Sequence, residues 1–290
     1  MTTTHPLPAT AAGTWKLGSF EVNRLGYGAM RLMSTSDGGI RDRETSIAVL
    51  RRAVELGVNH IDTASFYFAG PRSANELINS ALAPYDNLVL TTKVGPGRDF
   101  EGTFLTARPE QLRAQVEQNL RELGLDHLDV VNYRIGQGLD RGAGSLADGF
   151  GALADLREQG LIRELGISNV APEHLTEALA IAPVVCVQNQ YGLTARREDD
   201  EIVRMCAERG IAFVPFFAVA SGTGEETRVA EVAKRHDATP AQIRLAWTLH
   251  QGPHVLAIPG TGDLAHLEQN VAAAALVLTD DDLVTLERDH

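Results

Sequence analysis

Short apolar runs bounded by turn residues alternate along the chain with longer stretches in which apolar positions return every three or four residues. The runs read as buried strands and the stretches as amphipathic helices, because side chains alternate faces along a strand but return to one face of a helix after about 3.6 residues. Strands are predicted over 24–28, 58–62, 88–93, 127–134, 163–168, 184–188, 211–216 and 255–259. Helices are predicted over 43–56, 73–82, 109–123, 145–159, 172–180, 199–208 and 240–250, with an extra helix over 228–235. Such strand–helix alternation builds parallel sheets with helical crossovers.

Gly57, Gly124, Gly160 and Gly210 each fall just past a predicted helix and before a strand, where a left-handed cap suits glycine. Eight repeats of this unit, with no Pro- or Ser-rich linker, predict an α/β fold of the closed (β/α)8 TIM-barrel type, which needs about 250 residues. The 290 residues therefore read as one domain. Residues 14–23 are predicted to form a short N-terminal hairpin closing the barrel floor, and residues 1–13 a frayed tail.

Composition narrows the partners. Lys and Arg number 26 against 38 Asp and Glu, a net charge of -12, which repels a phosphate backbone and argues against nucleic acid. An anionic small molecule would have to be held by a local cluster of donors. The nine histidines are scattered and the two cysteines lack close metal-type partners, so no metal site is predicted. No apolar run approaches the roughly 20 residues that cross a bilayer, and the start lacks the basic and apolar regions of a secretory signal. A cytoplasmic protein without membrane partners is expected.

In a closed barrel of this kind the chemistry gathers at the carboxyl ends of the strands. Asp62 and Tyr67 follow the second predicted strand, and Lys93 ends the third. A phenol has an ordinary pKa of about 10, and a nearby ammonium braced by a carboxylate favours its ionised form. The three residues together can therefore serve as a proton donor, or Asp62 and Lys93 can form a plain ion pair while Tyr67 packs on a loop.

Taken with the barrel, the runs Gly26–Met30 and Asp62–Tyr67, the pair Thr92-Lys93, Gly166-Ile167-Ser168-Asn169, Val187-Gln188-Asn189 and Ile258-Pro259-Gly260-Thr261 with Asn270 resemble the aldo-keto reductases over nearly the whole chain. The resemblance implies a nicotinamide-dependent carbonyl reductase, with Tyr67 as general acid, Lys93 as its charged neighbour and Asp62 bracing the lysine. It also implies that Ser168, Asn169 and Gln188 hold a nicotinamide carboxamide, and that Phe216 stacks beneath the ring. Gly28, Ala29, Met30, Phe217 and Pro259 are expected along the cofactor, with Gly260, Thr261 and His266 near its phosphate and Gln269 and Asn270 near adenine. Ser168-Asn169 can also be read as a helix cap, and Phe216 as plain core.

The chain departs from the family at the end of the fourth strand, where Arg134 occupies the place of the usual histidine. Guanidinium donates hydrogen bonds but does not relay protons as imidazole does. Arg134 either faces the mouth, favouring electron-rich or anionic substrates, or turns out to a carboxylate such as Asp140. The run around it resembles the bacterial branch that includes pyridoxal reductase. A second departure lies after the eighth strand, where Gly260 and His266 take the places of the usual lysine and arginine and Glu268 adds negative charge. NADPH remains the cofactor implied by resemblance, with NADH its competitor. A sensor that binds cofactor with little turnover is the reading from another class, and the helical pattern over 280–288 at the chain's end predicts an open pocket.

Overall fold

An antiparallel hairpin, β1 (Thr14–Leu17) and β2 (Phe20–Asn23), precedes the first repeat of the computed structural model, which describes residues 8–35, 37–98, 104–195, 197–219 and 224–288. There follow β3 (Tyr27–Gly28), α1 (Arg43–Glu55), β4 (His60–Asp62), a small hairpin β5 (Phe68–Ala69) and β6 (Arg72–Ser73), and α2 (Ala74–Leu82). β7 (Val89–Val94) leads to a second small hairpin, β8 (Pro96–Arg98) and β9 (Phe104–Thr106), and then α3 (Pro109–Leu123). Three regular units come next: β10 (Leu128–Arg134) with α4 (Ala147–Glu158), β11 (Ile162–Ser168) with α5 (Pro172–Leu179), and β12 (Cys186–Gln188) with α6 (Asp200–Arg209). β13 (Ala212–Phe213), α7 (Glu226–Arg235), α8 (Pro240–His250), α9 (Leu264–Ala272) and α10 (Asp280–Leu286) complete the chain.

The parallel ladder runs β3-β4-β7-β10-β11-β12-β13. Residues 255–259 close it into a barrel by single bridges rather than a continuous strand. The Phe213 amide donates to the His254 carbonyl and the Leu256 amide to the Phe213 carbonyl, both at 2.9 Å, while the Gly26 amide reaches the Ala257 carbonyl at 2.8 Å. At this seam a side chain on Gly28 would bring its Cβ within 2.7 Å of the Ile258 carbonyl oxygen, and one on Gly260 within 2.5 Å of the Gly28 oxygen. Two backbones meet there at a distance only glycine permits.

Leu17 and Val22 of the first hairpin plug the barrel from below, packing with Val89, Val130, Ala212 and Leu256 in an interior cluster. The larger core lies between the strands and the surrounding helices. Gly124 and Gly210 terminate α3 and α6 with φ of +68° and +66°, as their positions predict. The expectation of a frayed 1–13 is corrected in part: Pro8–Ala12 form a 3-10 turn with Ala9 buried, its amide donating to the Leu56 carbonyl at 3.0 Å. A small residue fits against the end of α1, so the chain is anchored there. Residues 1–7 lie outside those described.

Candidate active site

The strand register brings the chemistry to one rim. Asn132 stands beside Lys93, Arg134 beside Ser168, and Ser168 beside Gln188, all at the carboxyl ends of adjacent parallel strands. Lys93 is buried, and its Nζ donates to Asp62 Oδ1 at 2.5 Å and to the Thr63 carbonyl at 3.0 Å. The other Asp62 oxygen accepts from Gln188 Nε2 at 2.8 Å. The ammonium lies 4.9 Å from the centre of the Tyr67 ring, which stands edge-on to Phe66 at 5.2 Å. Tyr67 itself is fixed by its own turn, with its amide donating to the Ala64 carbonyl and its carbonyl accepting from the Ala74 amide.

Burial pushes the Tyr67 phenol above its ordinary pKa, against the pull of Lys93 and, more weakly, Arg134. Burial alone would lower the Lys93 ammonium, but Asp62 and Tyr67 outweigh it and hold the amine above its usual value. The phenol therefore keeps its proton at neutral pH beside a fixed positive charge. It is loaded as an acid, and the cation waits to meet the phenolate that proton loss would leave.

A polar ladder outside the barrel wall braces the Thr63 carbonyl that Lys93 uses. Thr63 Oγ1 donates to Asn75 Oδ1 at 2.8 Å, Asn75 Nδ2 donates to Asn119 Oδ1 at 3.0 Å, and Thr92 Oγ1 donates to the same oxygen at 2.6 Å. Inside the wall, beneath Asp62, His60 Nε2 meets Thr91 Oγ1 at 3.0 Å, and burial drives this imidazole down to about 4. The sequence reading missed both sets. Period two along 60–62 could have placed His60 under Asp62; nothing in one chain's spacing joins Thr63 to Asn119.

Arg134 faces the mouth. Its Nη1 donates to Ser168 Oγ at 3.2 Å, its Nη2 donates to the Gly138 carbonyl at 2.6 Å, and its Cζ lies 5.0 Å from the centre of the Phe216 ring. Among the described residues it makes no ion pair with Asp140. Burial lowers its pKa, with Tyr67 and Asp62 opposing the shift, yet a guanidinium so placed remains charged.

A match to the aldo/keto reductase family model covers residues 24–288. The chain belongs to that family. It is 45% identical to pyridoxine 4-dehydrogenase of Escherichia coli strain K12 over 283 residues, covering 96% of this chain and 98% of that protein. Among solved structures it resembles the thermostable aldo-keto reductase Tm1743 in complex with the inhibitor epalrestat (TM-score 0.80, 28% identity, 95% of this chain and 98% of that one). It also resembles an aldo-keto reductase from Klebsiella pneumoniae in complex with NADPH (TM-score 0.75, 26% identity, 92% and 91% covered). The protein is an aldo-keto reductase by fold and sequence, hence an oxidoreductase of carbonyl and alcohol groups.

The mouth of this reductase opens on a cavity of about 480 Å³, lined by Asp62, Tyr67, Lys93 and Arg134. Of the residues expected along a cofactor, Gly28, Met30, Phe216, Phe217, Pro259 and Gly260 line the same cavity. The others do not. Ala29 is wholly buried in the core. Ser168 accepts from Arg134, and Asn169 Nδ2 is spent on the loop after β10, donating to the carbonyls of Ile135 at 3.0 Å and Asp140 at 2.5 Å. Thr261 and Asn270 are buried, with Thr261 Oγ1 accepting from the Asp263 amide at 3.1 Å, whereas His266 and Gln269 lie on the exposed side of α9.

One buried acceptor beside Asp62 suits a nicotinamide cofactor. With its NH2 committed to Asp62, Gln188 keeps Oε1 buried and without a partner, an acceptor of the kind a carboxamide NH2 would satisfy. Glu268, expected to oppose a phosphate, is instead neutralised by Arg52 at 2.8 Å. Among the described residues no cluster of three or more His, Cys, Asp or Glu could hold a metal ion, and no helix is long and apolar enough to cross a membrane.

Proposed function

We propose that this reductase uses NADPH to convert a pyridoxal-type aromatic aldehyde to its alcohol, with Tyr67 as the proton donor. The observation that carries the reading is the protonated phenol beside the buried Lys93–Asp62 pair, facing one cavity with Arg134. The 45% identity to pyridoxine 4-dehydrogenase and the charged Arg134 at the mouth support the substrate class. Phe68, Leu105 and Leu139 are more than a third exposed and line the same cavity, an apolar rim suited to an aromatic ring.

When bound, NADPH supplies the hydride that reduces the carbonyl carbon. Tyr67 gives its hydroxyl proton to the carbonyl oxygen, and Lys93 stabilises the resulting phenolate through their proximity. Asp62 keeps the ammonium aimed, and its second oxygen aligns Gln188. Arg134 donates to an electron-rich substrate oxygen, such as the phenolic oxygen of pyridoxal, and cannot itself relay the proton. Oxidation of the alcohol runs the same proton path backwards and needs the phenolate. Two buried free thiols, Cys186 and Cys206, support a reducing, cytoplasmic setting.

The test is nicotinamide absorbance with NADPH and a panel of aldehydes. Pyridoxal is expected to be turned over faster than neutral aromatic aldehydes of similar size. Cofactor binding without turnover of any aldehyde would overturn the reading and favour a sensor.

A further inference from the structure

The strand-eight loop lacks the lysine and arginine that its family resemblance leads one to expect, but the structure brings another cation to it. Arg41 lies in the loop between β3 and α1, far from Gly262 in sequence. A Cβ built on Gly262 would fall 2.1 Å from Arg41 Nε and 2.6 Å from its Cζ, so the guanidinium rests on the loop backbone at a position that only a glycine leaves open. Its Nη2 donates to the Ser34 carbonyl at 3.0 Å, while Nε is buried and has no partner. No carboxylate among the described residues lies within ion-pair distance of it. Arg52 is by contrast consumed by Glu268 and Glu55.

Two amides of the loop are already engaged, so a cation for an anionic group has to come from outside it. Asp263 caps α9 by accepting from the His266 amide at 2.9 Å, and the Thr261 side chain holds the Asp263 amide, which fixes the turn. Ser34, held by Arg41, lines the same cavity as Gly260. A cation held by backbone contacts, beyond ion-pair distance of any described carboxylate though within electrostatic reach of Asp263, lowers the energy of a nearby dianion.

We propose that Arg41 is the specificity-determining cation for the 2′-phosphate of NADPH in this reductase, taking over from outside the strand-eight loop the charge that Gly260 and His266 do not supply. The inference rests on the reading of a nicotinamide cofactor. It explains how a loop with an acidic N-cap can still favour the phosphorylated cofactor: the compensating charge comes from the first βα loop, and Gly262 makes room for it.

Calorimetric binding of NADPH, NADH and 2′,5′-ADP to the parent protein, Arg41→Met and Arg41→Lys tests it without reference to turnover. Arg41→Met is expected to weaken NADPH and 2′,5′-ADP by on the order of tenfold to a hundredfold, with NADH affinity within about twofold, and to flatten the salt dependence of NADPH binding. Arg41→Lys is expected to recover part of the loss. If parent protein binds NADPH and NADH alike, or neither, the cofactor reading fails. If the parent prefers NADPH and Arg41→Met keeps that preference, or loses both cofactors equally, the assignment of Arg41 is wrong.

Discussion

A lysine ammonium buried beneath a barrel rim is destabilising unless its charge is met, and Asp62 meets it at 2.5 Å. Removing one member of such a pair costs about 3–5 kcal/mol because the other is left charged and dry; the proposed proton donor, Tyr67, therefore stands beside a costly local structure. On the proposed reading Arg134 sets substrate choice rather than transferring a proton. Arg134→Ala is expected to lower kcat/KM for pyridoxal by about tenfold to a hundredfold, the worth of a hydrogen bond to a charged group, and to change that of benzaldehyde far less, as steady-state rates will show. His60 sets a pH limit on stability. Its folded pKa of about 4 lies below the ordinary 6.5, so the unfolded chain binds the extra proton first. Its contribution is full above pH 6.5 and is lost as pH falls towards 4, amounting to about 3 kcal/mol. Urea unfolding between pH 7 and 5 should show a shallower acid loss for His60→Asn than for the parent. The residues proposed to carry chemistry were legible because they sit within a few positions of a strand end: Asp62, Tyr67, Lys93 and Arg134 all line one cavity. Asn169 was implied by the family resemblance, yet its amide nitrogen is engaged by loop carbonyls, a commitment that depends on a loop with no periodic signal.

At the level of elements, strongly periodic segments were legible to within a residue or two. α3 and α8 have the bounds read from their patterns, each opening on a proline that pre-sets the first turn. The short elements were not. β5, β6, β8 and β9 have two or three residues each, too few for alternation to register, and the closing segment 255–259 pairs only through single bridges, Val255 with Phe213 and Ala257 with Leu25. The hairpin β1–β2 was legible as a floor, and its energetic role is testable. Leu17 is fully buried against Val130 and Leu256, so Leu17→Ala is expected to cost about 3 kcal/mol of unfolding free energy, read as a lower urea midpoint with an unchanged slope. Turnover per folded molecule should stay near the parent value, since the plug lies at the opposite end of the barrel from Tyr67.

Over the whole molecule, closure of the ladder is what converts dispersed residues into a site: four strands deliver Asp62, Lys93, Arg134 and Gln188 to one rim, and backbone hydrogen bonding rather than side-chain choice fixes their height. The raised Tyr67 pKa sets the sense of the pH response. Because reduction needs the protonated phenol, its rate should stay level through neutrality and fall only as pH rises above about 10, whereas oxidation of the alcohol should climb over the same range. The most direct test is Tyr67→Phe, which removes one hydroxyl and leaves the ring packed on Phe66. Cofactor binding should persist, with pyridoxal reduction slowed by about 10²–10⁴-fold; a variant that binds cofactor and reduces pyridoxal near the parent rate would contradict the assignment of Tyr67 as the acid.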